Sequence, residues 1–351
     1  VVWFVGWRDT PTENHLYRVS LDGGEVTQVT ESGGWHQASV APDGSFFVDS
    51  GQAPLRPPYT AIHSAEGELL TYITENALND DHPYAPFVDG HRPFSFDSIK
   101  TGDGTRLHYQ VALPADFDPE KKYPAVVYFY GGPGVGQQVR KVWPVEGGLG
   151  GMRQILARNG YVVFTLDNRG TPNRGKAFED VLFRNMGDYE VQDQLLGLEW
   201  LKSQPYVDAE NVGVYGWSYG GYLTLMLLTK SPGSYTAGIA GAPVTNWRLY
   251  DTHYTERYMG DPNDGDGKYE MSSPITYAEN LSDPMLLVHG MADDNVFFDN
   301  SVQMIDALQE SATPFEMMAY PGKRHRSVGE AESKHLLTMF LDFFDRHLKG
   351  Q

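Results

Sequence analysis

The chain has 351 residues, 40% hydrophobic and 21% charged, and its formal net charge of −19 argues against nucleic-acid binding, which depends on Lys and Arg to neutralise phosphates. It contains no cysteine, which excludes disulfides, thiolate metal sites and a cysteine nucleophile. No apolar run approaches the roughly 20 residues that a membrane helix needs, so we predict no membrane segment in this chain.

The N-terminal part of the chain is typical of antiparallel β-structure. Its opening stretch predicts a strand, and because it begins with Val rather than Met we expect the chain to start within a longer protein. Residues 15–30 and 33–51 each predict two strands, separated by turns at 22–24 (Asp-Gly-Gly) and 42–44 (Pro-Asp-Gly). Four such strands amount to about one propeller blade of roughly 40–45 residues. We therefore assign residues 1–92 to the C-terminal portion of a β-propeller whose other blades lie upstream or are absent; a small β-meander is the alternative.

After a proline-rich passage, the sequence from residue 93 onward alternates between apolar strands and amphipathic helices. This alternation indicates an α/β domain over residues 93–351, with a buried, doubly wound and mostly parallel sheet covered by helices on both faces. In such sheets the chemistry lies beyond the carboxyl ends of the strands. The predicted strands are 124–133, 160–170, 211–218, 238–244, 284–290 and 315–322, and the predicted helices are 188–202, 220–230 and 327–347.

The pentapeptide at 216–220 (Gly-Trp-Ser-Tyr-Gly) has the pattern G-x-S-x-G and lies between a predicted strand and a predicted helix. This is the context of the nucleophile elbow of the α/β-hydrolase fold, where the serine sits on a sharp, strained turn that glycines allow to pack closely. We predict an α/β-hydrolase with Ser218 as the nucleophile; the alternative is a glycine-rich turn whose serine caps the helix. The turn makes the Tyr219 N–H one oxyanion donor, and the loop at 130–133 (Tyr-Gly-Gly-Pro) is the expected source of the second.

The base of such a triad follows its acid in the chain, and three histidines qualify. His335 and His347 fall within the predicted C-terminal helix, where a packed or solvated histidine is the simpler interpretation. His325 follows the strand 315–322 in a loop, from which its ring can reach the serine. We predict that His325 accepts the Ser218 proton and returns it to the leaving group.

The acid of the triad is expected after the strand 284–290, where Asp293 and Asp294 are adjacent. Spacing from the strand end favours Asp293, but the residues alone leave both open. The chosen carboxylate would hold the His325 ring in the required tautomer. His289 ends the same strand and precedes the acid, so we interpret it as structural.

At these residues the chain resembles the prolyl oligopeptidase family of serine peptidases, and within it the dipeptidyl peptidase IV branch. The resemblance covers essentially the whole α/β domain, and the N-terminal strands resemble the end of that family's propeller. GWSYGGY together with YTERYMG and HGMADDNV is far more specific than the pentapeptide alone. The matching stretches are 130–133 (YGGP), 216–222 (GWSYGGY), 242–244 (APV), 254–260 (YTERYMG) and 289–296 (HGMADDNV).

The resemblance implies how the catalytic residues act. It implies Ser218, Asp293 and His325 as the triad, which selects one of the two adjacent aspartates. It also implies that the Tyr130 hydroxyl joins the Tyr219 N–H as the second oxyanion donor.

The resemblance further implies a proline-sized S1 pocket. Aromatic walls suit the flat pyrrolidine ring, which has no N–H to satisfy. Asn295 is implied to hydrogen-bond the substrate carbonyl before the scissile residue. The implied pocket residues are Tyr219, Val244, Trp247, Tyr250, Tyr254 and Val296.

Two features depart from the family pattern. Family members usually have Gly after the catalytic His, whereas Arg326 stands here in the sequence Lys-Arg-His-Arg at 323–326, and cations beside the base are expected to lower its pKa. The family reads the free N-terminus of its substrate with a Glu pair and an Arg on its propeller region, and nothing in residues 1–95 matches that set. Residues 1–95 therefore do not indicate how long the released peptide is.

The resulting hypothesis is a serine peptidase that cleaves after proline or alanine near peptide N-termini and releases dipeptides through an acyl-enzyme. The alternatives are a prolyl tripeptidyl peptidase, an oligopeptidase, an acylaminoacyl peptidase or a catalytically inactive interaction module; a carboxylesterase fits less well, because the Tyr130 donor and the β-blade belong to the peptidase pattern. No metal or organic cofactor is expected. The expected partners are peptides and, in a homodimer, a second copy. The absence of cysteine favours a bacterial, periplasmic or otherwise extracytoplasmic location.

Overall fold

The computed structural model describes residues 1–145, 151–326 and 329–350. The chain divides into two compact units. The first unit comprises Val1–Phe94 and Val139–Gln154, and the second comprises Ser95–Gln138 and Ile155–Gln351. The first unit therefore includes a later segment that the linear division after residue 92 assigns to the α/β domain, and that domain division stays a prediction.

The first unit contains two antiparallel sheets. The chain reverses at residues 20–26 and 41–45, where the Gly-containing turns predict it, and Gly23 and Gly44 have the positive φ that glycine adopts without strain. The three-stranded sheet has the order β1 (Val2–Gly6), β2 (His15–Val19) and β3 (Thr27–Gln28). The four-stranded sheet has the order β4 (Trp35–Val40), β5 (Phe46–Ala53), β6 (Arg56–Ser64) and β7 (Leu69–Thr74).

The two predicted hairpins thus belong to different sheets instead of forming a single blade. β6 also lies in the proline-rich passage, from which we expected no strand. Its Pro57 and Pro58 fall in a gap of the β5 register, between the pairs made by Arg56 and Tyr59, and before Thr60, where the pairing with β7 begins. Since no ladder hydrogen bond is needed from either proline there, the strand tolerates both.

Residues 139–145 join the first unit through contacts with residues distant in sequence. The Trp143 ring stacks on His91 with centroids 4.8 Å apart, and its backbone N–H donates to Gln52 Oε1 at 3.1 Å. Lys141 Nζ lies 2.6 Å from Glu13 Oε1. These contacts explain why this segment packs with strands that precede it by many residues.

The second unit is built on an eight-stranded, mostly parallel sheet. Its order is β15-β14-β13-β12-β10-β11-β9-β8, parallel from β11 through β15 and antiparallel where β9 pairs with β11 and β8. Six of its strands match the six predicted apolar runs; β8 and β9 were not predicted. The strands are β8 (Ser95–Lys100), β9 (Arg106–Ala112), β10 (Tyr123–Tyr128), β11 (Val162–Leu166), β12 (Val207–Trp217), β13 (Ala237–Gly241), β14 (Met285–Gly290) and β15 (Glu316–Tyr320).

Helices connect these strands. The helix α4 (Tyr219–Lys230) is buried on all sides except at Lys230, which explains why its sequence is mostly apolar and not amphipathic. The predicted C-terminal helix is α8, which buries Leu336, Phe340, Phe343 and Phe344; its predicted start at Ser327 lies outside the described residues. The α-helices are α1 (Met152–Arg158), α2 (Lys176–Glu179), α3 (Tyr189–Lys202), α4 (Tyr219–Lys230), α5 (Thr252–Met259), α6 (Lys268–Met271), α7 (Asp299–Glu310) and α8 (Glu330–Phe344). Short 3-10 helices span Ala85–Gly90, Asp180–Leu182, Trp247–Leu249 and Pro274–Asn280, and a π-helical turn spans Asp345–Lys349.

Candidate active site

Ser218 occupies a strained turn between the end of β12 and the start of α4. Its φ of 61° and ψ of −117° lie in a region that residues with a Cβ rarely adopt, and such strain clusters at functional sites. The turn is held by the Ser218 N–H, which donates to the Gly241 carbonyl at 2.8 Å, and by the Tyr222 N–H, which donates to the Ser218 carbonyl at 2.9 Å. The Ser218 side chain makes no capping bond to α4, which argues against the helix-cap interpretation.

The glycines around Ser218 are required by close backbone packing. A Cβ at Gly216 would overlap the backbone of Gly220, and a Cβ at Gly220 would overlap the Phe129 carbonyl. A Cβ at Gly221 would likewise overlap the Gly241 carbonyl. The elbow therefore fits only a sequence with glycine at these three positions.

Asp293 and His325 lie together at the ends of neighbouring parallel strands, β14 and β15. His325 Nδ1 is 2.7 Å from Asp293 Oδ2, and the other carboxylate oxygen accepts the N–H groups of Asn295 at 2.9 Å and Val296 at 3.0 Å. Asp294 instead is exposed and pairs with Arg324 at 3.0 Å, away from the His325 ring. Of the two adjacent aspartates, Asp293 is the one in contact with the candidate base.

The environment of Asp293 keeps it ionised. Burial alone would raise the pKa of this carboxyl, but hydrogen bonds from His289, His325 and the Asn295 N–H outweigh burial and hold the pKa well below its usual range. Because an ionised carboxylate only accepts hydrogen bonds, His325 Nδ1 carries a proton. In the neutral ring His325 Nε2 is then free of a proton and is the atom that can act as a base.

His289, the second-to-last residue of β14, also contacts the candidate acid. Its Nε2 lies 3.0 Å from Asp293 Oδ2 and 2.9 Å from the Val296 carbonyl, and its Nδ1 lies 2.7 Å from Ser301 Oγ. Both neighbours of Nε2 are acceptors, so Nε2 carries a proton. From the sequence we interpreted His289 as structural. Its spacing of four residues from Asp293 is the local feature that accompanies this contact.

Trp217 connects the loop of the base to the nucleophile elbow. Its indole N–H donates to the His325 carbonyl at 2.8 Å, and its ring lies directly over Gly241, where a Cβ would collide with it. Within the described residues no hydrogen bond joins the Ser218 and His325 side chains; such bonds often tighten only in the substrate complex. Trp217 belongs to the matching stretch GWSYGGY, but nothing in that motif indicates its contact with the loop of the base.

Two hydrogen-bond donors flank Ser218. The Tyr130 hydroxyl, in the loop after β10, is close enough to the Ser218 side chain to interact with it, and burial raises the pKa of this phenol, which keeps it protonated. Tyr219 is the first residue of α4, so its N–H has no partner within the helix. Both donors are therefore suited to an oxyanion formed at Ser218.

The predicted S1 residues lie together beside the elbow. Trp247 contacts Tyr219 and Tyr254, with ring centroids 5.7 and 6.2 Å away, and Tyr250 lies 5.6 Å from Tyr254. Val244 and Val296 are buried in the same hydrophobic cluster. Asn295 is exposed and its Oδ1 accepts the Tyr250 hydroxyl at 2.9 Å, so the amide lies at the edge of the aromatic group.

The three cationic residues next to His325 in the sequence have different surroundings. Lys323 pairs with Glu332 and Arg324 with Asp294, whereas the Arg326 side chain is exposed and its charge acts on the Tyr130 hydroxyl.

Across the described ranges no group of three or more His, Cys, Asp or Glu is arranged to hold a metal ion. In the same ranges no helix has the length and apolar character needed to cross a membrane.

Comparison with known proteins agrees with the motifs. The family model for the prolyl oligopeptidase family matches residues 150–351, and that for the dipeptidyl peptidase IV N-terminal region matches residues 1–58. The chain is 37% identical to dipeptidyl peptidase 8 of Homo sapiens over 352 residues, covering 96% of this chain and 38% of that protein. It is 36% identical to a probable dipeptidyl-aminopeptidase B of Trichophyton verrucosum, covering 93% of this chain and 36% of that protein.

A solved structure supports the fold as well. The crystal structure of Porphyromonas gingivalis dipeptidyl peptidase 4 matches with a TM-score of 0.90 and 31% identity, over 99% of this chain and 48% of that chain. The likeness confirms the predicted α/β-hydrolase fold preceded by part of a propeller. The chain spans less than half the length of each of these relatives. Since the first family model covers more than half of the chain, this protein belongs to the prolyl oligopeptidase family.

Proposed function

We propose that this chain carries the catalytic part of a serine dipeptidyl peptidase that cleaves after proline or alanine. The observation that carries the proposal is the arrangement at the ends of β12, β14 and β15. Ser218 lies on a strained elbow near Tyr130, and the preceding Trp217 donates to the carbonyl of His325, whose ring contacts Asp293. The aromatic residues around Trp247 supply a site for a proline ring. The names of the relatives, all dipeptidyl or dipeptidyl-amino peptidases, support the release of dipeptides.

In the acylation step, Ser218 Oγ attacks the carbonyl carbon of the scissile bond. His325 Nε2 takes the serine proton, and Asp293 stabilises the imidazolium through Nδ1. The negative charge on the carbonyl oxygen is stabilised by the Tyr219 N–H and the Tyr130 hydroxyl. The intermediate collapses as His325 returns the proton to the leaving amine, which leaves the peptide N-terminal fragment as an ester on Ser218.

In the deacylation step, water replaces the leaving amine. His325 takes a proton from the water, which attacks the ester carbonyl, and the same two donors stabilise the second oxyanion. Return of the proton to Ser218 Oγ releases the product acid. Asn295 would hold the carbonyl of the preceding residue, which fixes the register of the chain relative to Ser218.

The test compares free Gly-Pro, N-blocked Gly-Pro and Ala-Ala-Pro chromogenic amides on the full-length natural protein, with Ser218→Ala as the blank. Hydrolysis of the free Gly-Pro amide alone supports the proposal. Preference for the blocked or longer amide would retain a peptidase but overturn the dipeptidyl assignment. Absence of Ser218-dependent hydrolysis and of fluorophosphonate labelling would overturn the enzyme assignment altogether.

A matched pair of histidine variants tests the base. His325→Ala should lose turnover by about 10⁶-fold, as triad knockouts do. His335→Ala is the control, because His335 is exposed on α8 and contacts the Tyr320 hydroxyl at 2.8 Å. Equal loss in the two variants would contradict the assignment of His325.

We further propose that the α/β domain forms a homodimer through the surface around α7. Three large apolar side chains are exposed there: Met291, Phe297 and Val302 are 50%, 52% and 47% exposed. All three lie within residues 291–302, and exposed apolar side chains that form one patch mark an association surface. Light scattering coupled to gel filtration should give twice the monomer mass, and Val302→Asp should halve it; a monomer in the unmodified protein would contradict the proposal.

We also propose an extracytoplasmic, periplasmic location. The support is the complete absence of cysteine in 351 residues, which suits a compartment where free thiols are oxidised. Fractionation of the native host should place the protein with periplasmic markers, and recovery with cytoplasmic markers would contradict this.

A further inference from the structure

Glu190 is a buried carboxylic acid that the triad mechanism does not use. It is the second residue of α3 and has no exposed surface. Its Oε2 accepts the Gly187 N–H at 3.0 Å, a contact made possible by the positive φ of 81° at that glycine. A carboxylate at a helix N-terminus often serves only to cap it. The second oxygen of Glu190, however, has a different partner.

That partner is the side chain of the residue after the nucleophile. Glu190 Oε1 accepts the Tyr219 hydroxyl at 2.7 Å. The Tyr219 ring lies between Gly132, where a Cβ would contact it, and Trp247, whose ring centroid is 5.7 Å away. One end of Tyr219 is thus fixed by the elbow and the other by Glu190.

Glu190 has no cation partner within the described part of the chain. The nearby Lys230 Nζ donates to the Gly187 carbonyl at 3.2 Å and lies 3.9 Å from Asp188. Burial raises the pKa of Glu190 to about 7, although the hydrogen bonds from Tyr219 and Gly187 oppose this. The titratable and charged groups around it are Asp193 on α3, Tyr219, Tyr222 and Lys230 on α4, Asp188 before α3 and Tyr254 on α5.

We propose that Glu190 is a positioning residue that holds the Tyr219 ring as a wall of the S1 pocket and so sets the preference for proline over alanine. The inference rests on the proposed peptidase function. A proline ring can pack against the face of Tyr219 beside Trp247 only if the Tyr219 ring keeps its place. An alanine side chain is too small to reach the ring, so it gains little from that placement.

The test measures kcat/KM for free Gly-Pro and Gly-Ala amides in the full-length protein. Glu190→Ala leaves the Tyr219 hydroxyl buried without its partner, and we expect the Pro/Ala ratio to fall by about tenfold, mainly through loss on the proline substrate. Glu190→Gln keeps an acceptor of the same size and should restore the ratio to within about threefold of the parent. The exposed Glu199 on the same helix supplies the control, Glu199→Ala.

Tyr219→Phe provides a second route if Glu190→Ala folds poorly. It removes the same hydrogen bond from the other side, so it should lower the Pro/Ala ratio similarly, and the two changes together should not add. A ratio unchanged within about twofold in Glu190→Ala and Tyr219→Phe would overturn the positioning role, even if both rates fall in parallel. Absence of Ser218-dependent hydrolysis of either amide by the parent would overturn the proposed function and this inference with it.

Discussion

The hydrogen bond from Trp217 to the His325 carbonyl gives a prediction specific to this structure. Trp217→Phe keeps an aromatic ring beside Gly241 but removes the indole N–H that spans 2.8 Å to the loop of the base. Loss of one neutral hydrogen bond of this kind costs about 0.5–1.5 kcal/mol. If that bond is needed in the transition state, kcat should fall by roughly twofold to tenfold.

The effect should appear in kcat and leave KM nearly unchanged. Trp217 holds the base and is not among the residues assigned to the S1 pocket, so binding of the free Gly-Pro amide should be preserved. The rate of fluorophosphonate labelling at Ser218 should fall in parallel with kcat, since both reactions need the proton transfer to His325. Steady-state hydrolysis and a timed labelling experiment on the same preparation measure the two quantities.

A second tryptophan serves as the matched control. Trp200 on α3 packs against Tyr109 and Phe164, with centroids 4.3 and 5.4 Å away, and none of its ring contacts within the described part of the chain involves the candidate triad. Trp200→Phe should shift the urea midpoint of unfolding and should change kcat little. An equal fall of kcat in both variants, or a kcat within about 1.5-fold of the parent in Trp217→Phe, would refute the proposed coupling between this indole and the base.

Three further predictions follow from the site. Asp293→Asn should lower kcat by about 10⁴-fold, because the wrong His325 tautomer is favoured, whereas the exposed Asp294→Asn should stay within about twofold; steady-state kinetics of both variants distinguishes them. Tyr130→Phe should lower kcat by about 10²–10³-fold with little change in KM, and a loss confined to KM would contradict its oxyanion role. Burial raises the pKa of Glu190 from 4.5 to about 7. Its protonation therefore contributes fully to the free energy of unfolding below pH 4.5, and this contribution falls by about 3 kcal/mol as the pH rises to 7. The Tm of the parent relative to Glu190→Gln should therefore fall between pH 5 and pH 8, and a constant difference would contradict this.

The parts of the site that could be predicted are those with short-range causes. The elbow at Ser218 needs glycines within a few residues on either side, because neighbouring backbones collide otherwise. His325 and Asp293 follow apolar strands of a parallel sheet, and the ends of such strands meet at one edge. Spacing alone did not exclude Asp294 as the acid, because two adjacent residues lie almost equally far along the chain and differ mainly in the direction of their side chains.

The residues that could not be predicted act through contacts between distant segments. Trp217 reaches a carbonyl 108 residues later, and Glu190 meets Tyr219 across 29 residues. Neither pair leaves a periodic or local signal. Their partners are set by how α3, α4 and the loop after β15 pack in three dimensions.

The sequence by itself determined the α/β-hydrolase domain, the nucleophile turn and the strand-rich start of the chain. These follow from local backbone sterics and from hydrophobic runs whose length and period report burial directly. The tertiary structure alone decided that the two N-terminal hairpins lie in separate sheets, that β8 and β9 extend the central sheet, and that residues 139–145 pack with the first unit. The physical reason is that strand pairing and side-chain packing depend on partners far away in the chain, which compete for the same surfaces and leave no trace in a local pattern.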